Sequence, residues 1–116
     1  MKSIMQEKDG RCYLCMLLHD DYSVKIVQEH HVIFGRANRK LSEKYGLKVY
    51  LCIWHHTEGP EAVHKNAEIA RMLKVSAQRI FRKVFPELDW MSIFRITIQN
   101  QKRSLLIGSR MPLLDL

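Results

Sequence analysis

Hydrophobic and polar positions follow two different rhythms along this 116-residue chain. Residues 24–27 and 31–34 are rich in β-branched and aromatic side chains, and this region predicts a strand. Residues 47–52 (LKVYLC) predict a second short strand of β-formers. Between them, residues 35–46 are polar and charged and bounded by glycines, which predicts a loop. Thr57-Glu58-Gly59-Pro60 punctuates the chain, and Pro60 suits the first turn of a helix. No Gly or Pro interrupts residues 61–85, where Val63, Ala67, Ala70, Leu73, Ala77, Ile80, Phe81 and Val84 recur at helical spacing. That pattern predicts a long amphipathic helix ended by Pro86, then a short helix over residues 87–94. A strand at Ile96-Thr97-Ile98 is the one element expected in the C-terminal tail, residues 96–116.

The order is therefore cysteine pair, strand, loop, strand, Cys/His cluster, helix. It predicts an α+β fold in one domain over residues 1–95, too short a chain for two. Repeats, low-complexity stretches and Gly/Pro/Ser-rich linkers are missing from the sequence. Apolar residues make up 47% of the chain, which excludes a disordered polymer. A core this small is often helped by a disulfide or a metal.

The formal charge is +7, from 19 Lys and Arg against 12 Asp and Glu. Such a balance favours polyanionic partners, nucleic acid or an anionic membrane surface, without choosing between them. No apolar run reaches the roughly 20 residues that span a bilayer, so no membrane insertion is expected. Residues 1–11 lack the apolar stretch and cleavage site of a secretory signal, so a reducing cytoplasm is expected. Three cysteines cannot all pair, and disulfides are rare in that compartment.

Cys12 and Cys15 form Cys-x-x-Cys, and Cys52 and His55 form Cys-x-x-His. Two residues between ligands let a tight turn aim both donors at one tetrahedral ion, and thiolate with imidazole is a donor set that suits zinc. His56 is an alternative to His55 as the fourth ligand. A redox dithiol would need a βαβ setting that is missing here, and buried packing cysteines are the remaining alternative.

Four of the six histidines fall in two dipeptides, His30-His31 and His55-His56. The arrangement CYLC, EHHVIFG, LCIWHH resembles the zinc-bearing branch of the HNH (His-Me finger) nucleases. More narrowly, EHHVIFGRANRKLSEKYGLKVYLCIWHH with the following VHKN is similar to phage proteins related to the RecA-dependent recombination-enhancing nuclease. The resemblance covers about residues 10–95 and implies a ββα-metal unit with a structural zinc knuckle. It implies His31 as general base, and His30 and His56 as ligands of a catalytic divalent ion. His30 stands where the family commonly has Asp, and His55 where it commonly has the fourth zinc Cys. The implied activity is DNA endonuclease or nickase, in a phage or prophage setting within a bacterial cell, with a recombinase–DNA filament as a further partner.

Elementary chemistry agrees with that assignment. Phosphodiester hydrolysis needs a deprotonated water, charge stabilisation on the phosphate and help for the departing oxygen. Histidine, with an unperturbed pKa of about 6.5, is a natural base near neutrality. Imidazole ligands suit Mn2+, Ni2+, Co2+ or Zn2+ better than Mg2+, although Mg2+ or Mn2+ is the ion that the activity implies. His64, on the predicted helix, could approach the metal or a phosphate or simply face solvent. His19 reads as a loop residue.

Arg36, Arg39, Lys40, Lys44 and Lys48, against only Glu43, make the segment between the strands a candidate phosphate-binding surface, with Asn38 and Ser42 as added hydrogen-bonding groups. Arg71, Lys74, Arg79, Arg82 and Lys83 add charge on more than one helical face. The competing functions are a non-catalytic zinc module that binds nucleic acid or a recombination protein, and a thiol redox protein with a reactive cysteine.

Overall fold

The two predicted strands pair with each other. In this computed structural model, which describes residues 1–96 and 98, β1 (Val27–His31) lies antiparallel to β2 (Lys48–Cys52), from Val27 opposite Cys52 to His31 opposite Lys48. Around this two-stranded sheet lie α1 (Tyr13–His19), α2 (Arg36–Tyr45), α3 (Ala67–Val84) and α4 (Trp90–Phe94), with a π-helical turn at Trp54–Glu58 directly after β2. The fold is α+β, as the alternating rhythms imply.

Alternation along β1 sets the chemistry of the sheet's two faces. Successive side chains of a strand point oppositely, and residues directly across an antiparallel pair share a face. Gln28 and His30 therefore share one side of the pleat, while Glu29 and His31 share the other with Lys48. Residues 3–6 run along the outer edge of β2: the Ser3 hydroxyl donates to the Lys48 carbonyl, and the Tyr50 N–H donates to the Gln6 side-chain oxygen at 2.8 Å. That cover leaves every residue of β2 buried. A free strand edge is otherwise a template for unwanted pairing.

Several sequence expectations need correction. Residues 35–46 are not a loop but hold α2 with a glycine at each end. Arg, Ala, Lys, Leu and Glu are good helix formers, and Gly46 closes the helix at φ 72°, its N–H donating to the carbonyls of Ser42 and Glu43. A Cβ at Gly46 would collide with the Lys2 carbonyl, so the close approach of chain 2–4 needs glycine here. The first strand is shorter than residues 24–34, and buried Val32 and Ile33 belong to the bend after it. The long helix starts at Ala67 rather than near Pro60, because Asn66 caps it: its side-chain oxygen accepts from the N–H groups of Glu68 and Ile69. α4 likewise starts late, at Trp90, behind the Asp89 cap. An unforeseen helix, α1, carries the first cysteine pair, with the Cys12 sulfur accepting from the Cys15 N–H. The expected strand at Ile96-Thr97-Ile98 and the rest of the tail fall largely outside the described residues.

The core lies between the sheet and α3. Leu14 and Leu17 of α1, Val49 and Leu51 of β2, and Ile69, Met72, Leu73, Ala77 and Phe81 of α3 are buried together. Trp90 and Phe94 stack at 4.2 Å and close one end against Phe81. No helix among the described residues is long and apolar enough to cross a membrane.

Candidate metal centres and histidine cluster

Two clusters of ligating side chains sit on either side of the π-helical turn. In the first, Cys12 and Cys15 from α1 and its cap meet Cys52 at the end of β2 and His55 on the turn, all four buried. Cys15 Sγ lies 3.8 Å from Cys52 Sγ, and His55 Nδ1 lies 3.6, 3.3 and 3.6 Å from the sulfurs of Cys12, Cys15 and Cys52. A tetrahedron with Zn–S of about 2.3 Å and Zn–N of about 2.0–2.1 Å has S–S edges of about 3.8 Å and S–N edges of about 3.6 Å. The four donors thus stand close to the corners of a zinc site, with no disulfide among them. Burial pushes the Cys15 thiol up to about 12, helped by the neighbouring sulfurs, and raises Cys12 as well. A cation that draws the protons off these three close-packed sulfurs would stabilise the arrangement. The donor set fits structural zinc, and His55 rather than His56 completes it.

His55 is held from behind. Its Nε2 is buried without a hydrogen-bond partner and lies 3.6 Å from Glu61 Oε1, which bonds His19 Nε2 at 2.7 Å. A carboxylate behind a ligating imidazole is the usual outer support of a metal site. His19 is therefore not a bare loop residue: it ends α1 and anchors Glu61. Neither residue stood out in the sequence, where the only signal was a Glu just past the Gly-Pro turn.

The second cluster brings together His30 of β1, His56 of the turn and His64, which lies between the turn and α3. Ring centroids are 5.4 Å apart for His30–His56, 5.2 Å for His30–His64 and 4.9 Å for His56–His64. His56 Nε2 and His64 Nε2 are 3.2 Å apart, a separation that fits an N–H···N hydrogen bond or two nitrogens on one ion. His56 Nδ1 bonds Gln28 Oε1 at 2.6 Å, which fixes the proton on Nδ1 and leaves the Nε2 lone pair facing the cluster. Backbone bonds from Val63 N–H to the His55 carbonyl, and from His64 N–H to the His56 carbonyl, fold residues 62–66 back over the turn and set His64 in place. Successive residues of a helical turn project on the order of 100° apart, so adjacent His55 and His56 serve different clusters. Gly59 permits the turn, because a Cβ there would stand 2.5 Å from the Trp54 ring.

Burial, then the nearby His56 and His64, hold the His30 imidazole down to about 3. His56 is lowered too, by burial and by His64. Lowered in this way, His30 and His56 favour the neutral form, the one that binds metal.

His31 does not join the three rings. It lies across the pleat, its Nε2 bonded to Glu43 Oε1 of α2 at 2.9 Å, with Glu29 Oε1 at 3.6 Å. Lys48 lies beneath, its side chain 8% exposed and its ammonium 3.1 Å from Glu43 and 3.3 Å from Glu29. Lys48 is thus a buried partner of carboxylates and not the phosphate contact expected from the sequence. His31, the N-terminal amino group and Lys48 together hold the Glu43 carboxyl well below its usual range, down to about 2. His31 still shares a pocket of about 290 Å³ with Glu29, His30, Arg39, His56 and His64. Arg36, Arg39, Lys40 and Lys44 line one face of α2 beside His31, around a groove of about 760 Å³. Asn38 is half-buried, and Ser42 is buried, its hydroxyl donating to the Ile33 carbonyl.

No family model, curated protein or solved structure matches the chain.

Proposed function

We propose that this chain is a metal-dependent DNA endonuclease or nickase of the HNH type, with β1, β2 and α3 as its ββα unit. What carries the reading is the meeting of His30, His56 and His64, from three separate segments, beside a fourth histidine that a carboxylate orients. The sequence resemblance supports the same roles for His30, His31 and His56, and His64 adds a third donor.

His30, His56 and His64 would hold the divalent ion, Mg2+ or Mn2+ or another ion suited to imidazole, with room left for substrate. When bound, that ion supplies charge stabilisation for the phosphate and for the departing oxygen. His31 acts as general base. Its Nε2–H donates to Glu43, so the lone pair lies on Nδ1, which has no partner among the described residues. The imidazolium formed on taking a proton from water is stabilised by the same Glu43. Arg39, on the rim of the pocket, reaches toward a phosphate oxygen, and Arg36, Lys40 and Lys44 hold the backbone on either side. Cys12, Cys15, Cys52 and His55 would hold a structural zinc, which would fix the turn that carries His56.

Incubation of supercoiled plasmid with the zinc-loaded protein and Mg2+ or Mn2+ is expected to give open circles. His31→Ala is expected to abolish this, with folding and zinc content kept. Nicking that survives His31→Ala would remove His31 as base. DNA binding without cleavage under any divalent ion would leave a zinc-stapled binding module instead.

A further inference from the structure

We propose that Arg71 and Lys74 of α3 form a second anion subsite, taking a backbone phosphate of DNA one step from the histidine cluster on the side away from α2. A pocket of about 430 Å³ is lined by Phe34, His64, Lys65, Asn66, Arg71 and Lys74. Phe34 and His64 also line the pocket of the histidine cluster, which in turn shares His31 and Arg39 with the groove along α2. The three depressions are therefore contiguous, with the histidines in the middle.

The cations of this pocket are arranged to meet an anion. Lys74 is half-buried, and its ammonium sits 4.1 Å from the centre of the Phe34 ring, a cation–π seat that fixes its direction. Among the described residues, neither Arg71 nor Lys74 has a carboxylate within ion-pair distance. Burial and then the Arg71 charge lower the Lys74 ammonium from its usual range, so the pair repel each other until an anion arrives. Lys65 is committed elsewhere, donating to the Glu58 carbonyl at 3.1 Å. Arg82 and Lys83, further along α3, lie outside this pocket. A phosphodiester strand bound by α2 thus crosses the histidine cluster and is gripped again on α3, which places the phosphate between the two grips at the cluster. That DNA is the strand rests on the endonuclease reading.

The test is the salt dependence of binding, measured by anisotropy of a short fluorescein-labelled DNA duplex on the full zinc-loaded chain without added divalent ion. Removing one phosphate contact makes the slope of log K against log salt shallower by about 0.9. Arg71→Gln and Lys74→Gln are each expected to flatten the slope by about one, with Lys83→Gln leaving it unchanged. Phe34→Leu keeps every charge and is expected to weaken binding severalfold, because Lys74 loses its seat. Unchanged slopes in Arg71→Gln and Lys74→Gln would overturn the subsite, as would an equal effect of Lys83→Gln. Flattened slopes in a protein that cuts with no ion would keep the subsite and remove the endonuclease. Wild-type slopes in a protein that does cut would do the reverse.

Discussion

His55 works in two directions at once: Nδ1 faces three thiols while Nε2 faces Glu61, itself tied to His19. An outer carboxylate raises the basicity of a ligating imidazole and sets its ring angle, and losing one typically costs 10–100-fold in metal affinity, so Glu61→Gln is expected to weaken zinc binding by about that factor. Competition with a chromophoric chelator measures it, and unchanged affinity would detach Glu61 from the site. His30 gives a pH signature. Burial, reinforced by His56 and His64, holds its folded pKa at about 3 against an ordinary 6.5. The unfolded chain therefore binds a proton that the folded one refuses, so this stability is complete above about 6.5 and is lost as pH falls toward 3. Urea unfolding without added divalent ion is expected to show that His30→Gln loses less stability than wild type between about pH 7 and 4; parallel losses would contradict it. Cys12, Cys15 and Cys52 were legible as candidate ligands because their spacing restricts them, whereas the choice of His55 over His56 was not. His19, Glu61 and the pairing of Glu43 with both His31 and Lys48 were not, since each depends on contacts between separate segments of the chain.

At the scale of elements, capping residues decide boundaries that hydrophobic periodicity cannot. The segment 35–46 reads as a loop because only Leu41, Ser42 and Tyr45 turn inward, and its flanking glycines are end signals rather than loop signals. Gly46→Ala must hold a Cβ at φ 72° against the Lys2 carbonyl. It is expected to cost about 1–2 kcal/mol from the backbone alone, with the collision adding to it. An unshifted denaturation midpoint would show that α2 can end another way. Asn66→Ala removes the oxygen that caps α3 and is expected to cost about 1 kcal/mol. Since α3 begins just after His64, that substitution also tests how firmly the cluster is held. The π-helical turn had no sequence signature beyond two adjacent histidines and a following glycine. Its effect, sending His55 and His56 to separate clusters, follows from helical geometry once the turn is known.

Across the whole molecule, the Cys3His cluster joins α1 to the end of β2 and the turn that carries His56. If zinc fills this cluster, its binding energy is part of the folding energy of a small core, so zinc removal by a strong chelator is expected to unfold the chain cooperatively in circular dichroism. Retention of the fold with free thiols would make the cysteines packing residues only. The α+β class, both strands and the order of the chemical motifs could be read from the sequence, because they rest on local pattern. The contiguous track from α2 across the histidines to α3 could not, because it exists only where separate segments meet. The most direct single measurement is the Mn2+ dependence of the DNA nicking rate in wild type and in His56→Ala, each checked to hold one zinc. Wild type is expected to nick with a saturable Mn2+ requirement, and His56→Ala to need at least about tenfold more Mn2+, as for loss of a metal-site group. Equal Mn2+ requirements and rates in the two proteins, or no nicking by wild type with any divalent ion, would contradict a catalytic ion held by the histidine cluster.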